Sequence, residues 1–180
     1  MPGGFEPDEL DSRAFTALMA PLVENAPAYL ARLTAARPFG SWKELFRAAT
    51  ELALTMPIDD QIELIDAHPR IGAPPGSVSA LSFVEQGYDA EAADVEAEAE
   101  RGRIADELTR MNVAYEARFS FRYVIFVAGR PRRAIMPLME RSLEAEEVVE
   151  RERALMEVVA IARDRAVKTE VMPQDAGWSG

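Results

Sequence analysis

Residues 154–166 read ALMEVVAIARDRA, and the spacing of their apolar members decides the fold class. Leu155, Val158, Val159, Ala162 and Ala166 recur at the three- and four-residue intervals that line one side of an α-helix. A strand would need alternation. The helical spacing holds along most of the chain, strand alternation is scarce, and glycine and proline gather between the periodic segments. The expected fold is all-α, a single-domain bundle of about seven to nine helices.

Towards the N-terminus, a long acidic helix is expected over Ala90–Arg118, with Ile104, Leu108, Met111 and Tyr115 as its apolar row and AEAADVEAEAE as a solvated face. A pair of helices should occupy Ser12–Ala36, broken near Asn25–Pro27. Arg37–Gly40 reads as a turn, and Ser41 as the N-cap of a helix through Leu54. In Pro57–His68, Asp59 and Asp60 suit a first turn, and Ile58, Ile62 and Ile65 share one stripe. Pro69 should end that helix and leave His68 at its edge, with Arg70–Ser79 as an irregular loop.

FSFRYVIFV, residues 119–127, is so continuously apolar that periodicity fits a buried helix, a strand or an extended crossing. A short helix to Leu143 and a last one over Ala145–Ala166 follow Gly129-Arg130-Pro131. The domain is expected over residues 1–167, with 168–180 as a disordered tail.

With 48% hydrophobic and 28% charged residues in 180, the chain should form one globular core. No apolar run nears the roughly 20 residues of a membrane span, and the N-terminus lacks a secretory signal, so no membrane association and a cytoplasmic location are expected. Without cysteine there is no disulfide, thiolate nucleophile or cysteine-based metal site, and one histidine excludes a multi-histidine cage. A net charge of −11, with no basic run, argues against nucleic acid. A site for a small anion would need arginines held close together.

His68 is the strongest single candidate for chemistry, because only an imidazole titrates near neutrality unperturbed, at about pH 6.5. It could equally cap a helix end. Ser82, Glu85 and Gln86 form S-x-x-E-Q, whose first four positions are also a capping box in which Ser82 would open a helix. Arg165 flanks the apolar stripe of the last helix and could snorkel to solvent or reach a carboxylate in a cleft, whereas Asp164 points away. Phe119, Phe121, Tyr123, Ile125 and Phe126 read as core or pocket wall, with Arg122 interrupting them.

Together, His68-Pro69-Arg70-Ile71-Gly72, Ser82-Phe83-Val84-Glu85-Gln86, Tyr115 to Ile125, and Ile161 to Arg165 resemble the OHCU (2-oxo-4-hydroxy-4-carboxy-5-ureidoimidazoline) decarboxylase family in order and spacing. Weaker similarity runs through ARPFGSWKEL and VAGRPRRAIMPLMERSL, so the likeness spans residues 12–167. The chain departs from the family pattern at Ser120, where glycine is usual, at Arg122 and Tyr123, where Pro-Phe is frequent, and at Asp164.

The resemblance implies an all-helical fold, no metal or organic cofactor, a homodimer, and decarboxylation of a small anionic ureidoimidazoline to (S)-allantoin in urate catabolism. A C=N bond in that substrate can take up the electron pair left by CO2, so no external electron sink is needed. Carried over residue by residue, His68 would be the acid/base and Glu85 its orienting or relay partner. Pro69, Ser82, Gln86, Phe119, Ile125 and Arg165 would bind substrate. Two other readings fit the same residues. One is a noncatalytic helical module whose acidic faces meet a basic partner, and the other is a lyase for a related ureido or imidazoline acid.

Overall fold

The computed structural model describes residues 6–87 and 95–174, and among these it contains helices and turns but no strand. The helices are α1 (Ser12–Met19), α2 (Pro27–Ala35), α3 (Trp42–Thr55), α4 (Ile58–Asp66), α5 (Ala80–Glu85), α6 (Val95–Phe119), α7 (Arg132–Ser142) and α8 (Glu147–Lys168). The all-α expectation holds. None of them is long and apolar enough to cross a membrane. The chain divides into two compact units, Met1–Ala67 with Leu155–Gly180, and His68–Ala154.

In the first unit, Asp11 caps α1 by accepting from Ala14 N at 2.8 Å, and Ser41 caps α3 by accepting from Glu44 N at 3.2 Å. A 3-10 turn over Ala20–Val23 ends with Glu24 and Asn25 in left-handed backbone, φ 50° and 61°, and this is the expected break between α1 and α2. The core includes Phe15, Leu22, Leu33, Leu45, Leu64 and Ile65, with Leu155, Val158, Val159, Ala162 and Ala166 of α8. That stripe is the one read from the sequence.

The α4 stripe needs correction. Its buried residues are Gln61, Leu64 and Ile65, whereas Ile58 is 54% exposed. Gln61 can be buried because its Nε2 donates to Leu54 O at 3.0 Å, so a polar residue fills a position that spacing alone gives to an apolar one.

In the second unit, α6 carries Leu108, Met111 and Tyr115 on its buried side, as expected. Of its expected N-terminal part, residues 90–94 lie outside the described residues, as do the side chains of 95–98. Residues 120–131 run as an extended, irregular crossing, which resolves the ambiguity of FSFRYVIFV. Ser120 starts it with φ 62°. The crossing buries Phe121, Tyr123, Val124 and Ile125.

Tyr115 meets the ring of Phe119 at 4.7 Å and stands edge-on to Phe121 at 5.8 Å and Tyr123 at 5.1 Å. Such pairs add about 0.5–1.5 kcal/mol each beyond burial. The Tyr115 hydroxyl donates to Glu150 Oε1 at 2.6 Å, and Arg153 donates to the same oxygen and to Val124 O. Burial and the Glu150 carboxylate together hold the Tyr115 phenol in its neutral form.

Of the tail expected from Lys168, residues 169–174 form a turn in which Met172 is buried and its N–H reaches Ala166 O at 2.9 Å. Residues 175–180 lie outside the described residues.

Candidate active site

His68 follows α4 by two residues and is almost wholly buried, 3% exposed. Its carbonyl accepts from Arg122 Nη1 at 3.0 Å, which gives Arg122 a defined position behind the imidazole-bearing backbone. The loop that follows is fastened from two sides. Gln86 Oε1 accepts from Gly72 N at 2.9 Å and its Nε2 donates to Arg70 O at 3.3 Å, while Asn112 Nδ2 of α6 donates to Ile71 O at 2.9 Å.

Gly72 has φ 77°, and a Cβ there would stand 3.1 Å from Leu108 Cδ1, so glycine lets the loop lie against α6. Arg70 grips Glu116 through two hydrogen bonds of 2.5 and 2.6 Å, and this pairing holds the Glu116 carboxyl below its ordinary titration range. H-P-R-I-G and S-x-x-E-Q are thus joined through the Gln86 side chain.

The capping box expected at Ser82 is not the cap. Ser79 caps α5, accepting from Ser82 N at 3.2 Å, and Ser82 sits one turn in, 3% exposed. Ser79-x-x-Ser82 offers a second serine at the same spacing, and the cap falls where the backbone is extended. Consequently Glu85 is the last residue of α5 and Gln86 its C-cap, not members of a first turn.

Glu85 and Gln86 line a cavity of about 490 Å³ that is bordered also by Arg101 of α6 and by Arg130, Arg132 and Arg133. Arg130, Arg132 and Arg133 fall within four consecutive positions, which corrects the reading that the chain has no basic run. Pro69 belongs to a neighbouring cavity of about 550 Å³ lined also by Arg122, Thr109 and Asn112.

Phe119 ends α6 and Ile125 lies in the crossing, both buried. His68, Pro69, Ser82, Glu85, Gln86, Phe119 and Ile125 all belong to the second unit.

Arg165 belongs to the first unit, and it does not snorkel: it is 1% exposed. Its Nη2 donates to Glu24 Oε1 at 2.8 Å and its Nη1 to Pro21 O at 3.1 Å and Leu22 O at 3.4 Å. The left-handed residue Glu24 turns back to supply that carboxylate, a partner 141 positions away that helical periodicity cannot reveal. Asp164, on the next position, pairs with Lys168 at 2.7 Å.

Comparisons with known proteins agree with one another. The family described as OHCU decarboxylase matches residues 8–167. The chain is 29% identical over 158 residues to the 2-oxo-4-hydroxy-4-carboxy-5-ureidoimidazoline decarboxylase of Haloferax volcanii, covering 88% of this chain and 90% of that one. It is 28% identical to the uric acid degradation bifunctional protein PucL of Bacillus subtilis, of which it spans only 31%. Among solved structures, a crystal structure of OHCU decarboxylase in the presence of (S)-allantoin superposes with a TM-score of 0.65 at 20% identity, covering 89% of this chain and 98% of that one.

Proposed function

The chain belongs to the OHCU decarboxylase family, and from that membership we propose that it is a carboxy-lyase converting 2-oxo-4-hydroxy-4-carboxy-5-ureidoimidazoline to (S)-allantoin in urate breakdown. The observation that carries the reading is the linkage of two family motifs: Gln86 of S-x-x-E-Q holds the backbone of the loop that follows His68-Pro69.

The chemistry needs little from the protein beyond placement and proton control. The bond from the ring carbon to the carboxylate breaks, and its electron pair moves towards the adjacent imine carbon while the imine nitrogen gains a proton. The resulting enol loses its hydroxyl proton to become the ring carbonyl, and a proton delivered to one face of the neighbouring carbon fixes its handedness. An enzyme accelerates this by positioning and by stabilising the developing charge.

In this proposal His68 exchanges the proton with the substrate hydroxyl, and its burial excludes the bulk water that would protonate either face. Glu85 orients or relays, Ser82 and Gln86 meet ring or ureido amides, Pro69, Phe119 and Ile125 shape the pocket, and Arg165 pairs with substrate oxygens. A homodimer in the cytoplasm belongs to the same reading, and light scattering tests the dimer.

A His68→Ala protein that folds should lose about 10²–10⁴-fold in rate. Wild-type rate and a single product enantiomer from that variant would overturn the acid/base role.

A further inference from the structure

The backbone just after His68 does not give its carbonyl the donor that a helix would provide. Pro69 has no N–H, and the amide that a continuing helix would direct at His68 O, that of Gly72, donates instead to Gln86 Oε1 at 2.9 Å. Side chains from elsewhere in the second unit reach the carbonyls of this stretch. Asn112 of α6 donates to Ile71 O at 2.9 Å, Gln86 at the end of α5 donates to Arg70 O at 3.3 Å, and Arg122 of the crossing donates to His68 O at 3.0 Å. Arg122 therefore holds the carbonyl of the imidazole-bearing residue itself.

Arg122 is presented from a fixed base. Its chain neighbours Phe121 and Tyr123 are buried, and both stand edge-on to Tyr115. One residue further on, Val124 O accepts from Arg153 Nη1 at 2.9 Å. The guanidinium end is confined as well, because the Glu116 carboxylate that Arg70 grips also feels the charge of Arg122. Ordering so long a side chain costs conformational entropy, which a hydrogen bond from a charged donor offsets. With both ends held, the side chain ties the crossing to a residue 54 positions earlier.

We propose that Arg122 is a positioning residue for the reaction: by holding His68 O, it fixes the backbone from which the imidazole reaches the substrate hydroxyl. The inference rests on the decarboxylase reading with His68 as its acid/base, and in it Arg122 touches no substrate. Proton transfer needs heavy atoms within about 2.6–3.2 Å of one another, and a misplacement of about 1 Å can cost about 10²-fold in rate. The tie to His68 thus governs rate as well as stability. Arg122 is also one of the positions at which this chain departs from the family pattern, so the tie belongs to its own sequence.

Arg122→Met keeps the length of the side chain and removes the donor, whereas Arg122→Lys restores a cationic donor. Arg110→Gln, exposed on α6 and paired with Glu107, is the control. With substrate generated in place from urate, Arg122→Met should lower kcat about 10- to 100-fold and leave KM within about twofold of wild type. Arg122→Lys should recover most of the rate, and Arg110→Gln should match wild type. Placed on His68→Ala, Arg122→Met should cost nothing further, because it acts through the imidazole. An unchanged kcat in folded Arg122→Met, a loss carried by KM, or an equal loss on the His68→Ala background would overturn the inference while leaving the decarboxylase reading intact.

His68 is the one histidine of the chain, so its imidazole signals stand alone in a carbon–proton correlation spectrum and report its placement without turnover. In Arg122→Met they should shift and broaden, and in Arg122→Lys they should return towards their wild-type positions. Signals in Arg122→Met identical to wild type contradict the inference. If Arg122→Met does not fold, Arg122→Gln replaces it in each comparison. A wild type no faster than the uncatalysed reaction sinks the proposed function, and with it the role in rate, while the spectra still decide whether Arg122 holds His68.

Discussion

Replacing Arg165 separates a structural guanidinium from a substrate-binding one. The side chain makes a 2.8 Å ion pair to Glu24 and two hydrogen bonds to carbonyls of the 3-10 turn, in a place where arginine is 1% and the Glu24 side chain 10% exposed. Arg165→Ala leaves a buried carboxylate without its counter-charge, a change that costs about 3–5 kcal/mol. Lysine keeps the charge but loses the fork that reaches both the carboxylate and the carbonyls, so about 1.5–3 kcal/mol should go.

With a urea m-value near 2 kcal/mol/M, within its usual range, the alanine variant should unfold at about 1.5–2.5 M less urea. The assay is equilibrium unfolding followed by far-UV circular dichroism, extended to a double-mutant cycle with Glu24→Gln. Coupling of about 2 kcal/mol or more is expected, because each single change strands the other partner. Arg165→Ala within about 0.3 M of wild type, or strict additivity in the cycle, would refute the structural role. An unchanged KM in Arg165→Lys would argue against contact with substrate.

Other consequences follow from single features. Ser120→Gly should stabilise by about 0.5–1 kcal/mol, since Ser120 holds φ 62° where glycine is unstrained, and a lower melting temperature would contradict this. Tyr115→Phe removes the 2.6 Å hydrogen bond to buried Glu150 and should destabilise by about 1–2 kcal/mol in urea unfolding. Because Tyr115 titrates above the ordinary tyrosine range when folded, its contribution is complete below that range and declines as pH rises past it, so the two proteins should converge in alkali.

Glu116 has the opposite sign. Arg70 lowers its pKa, so the pair stabilises above the ordinary carboxylate range and is lost as pH falls through the lowered value. Wild type and Arg70→Gln should therefore differ in melting temperature near neutrality and coincide in strong acid; a gap that widens on acidification would be wrong for this pairing.

Local periodicity is enough for the helices whose burial is simple. The stripes of α8 and α6 and the caps and breaks at Ser41 and Asn25 depend on neighbours three or four residues apart, and these appear where expected. Periodicity fails where a distant partner changes what can be buried. Gln61 enters the core because Leu54 O accepts from it, and Arg165 because Glu24 arrives from the far end of the chain. The cap of α5 was expected at Ser82, but Ser79, assigned to the preceding loop, takes it with extended backbone, a choice of backbone direction that the S-x-x-E pattern does not carry.

The candidate site shows the same division. The motifs containing His68 and Glu85 stand out as residues, but the side chain that joins them, Gln86 reaching the Arg70–Gly72 loop, is a tertiary fact. The arginines that border the cavity beside Glu85 were not picked out in the sequence: Arg130, Arg132 and Arg133 are close in the chain, but Arg101 comes from another helix and only the fold brings it to the same cavity.

The most direct test generates the unstable ureidoimidazoline from urate with the two preceding enzymes and follows the circular dichroism of the product. The account predicts that adding this protein gives rapid appearance of (S)-allantoin alone. Slow, racemic product at the rate seen without the protein would contradict it.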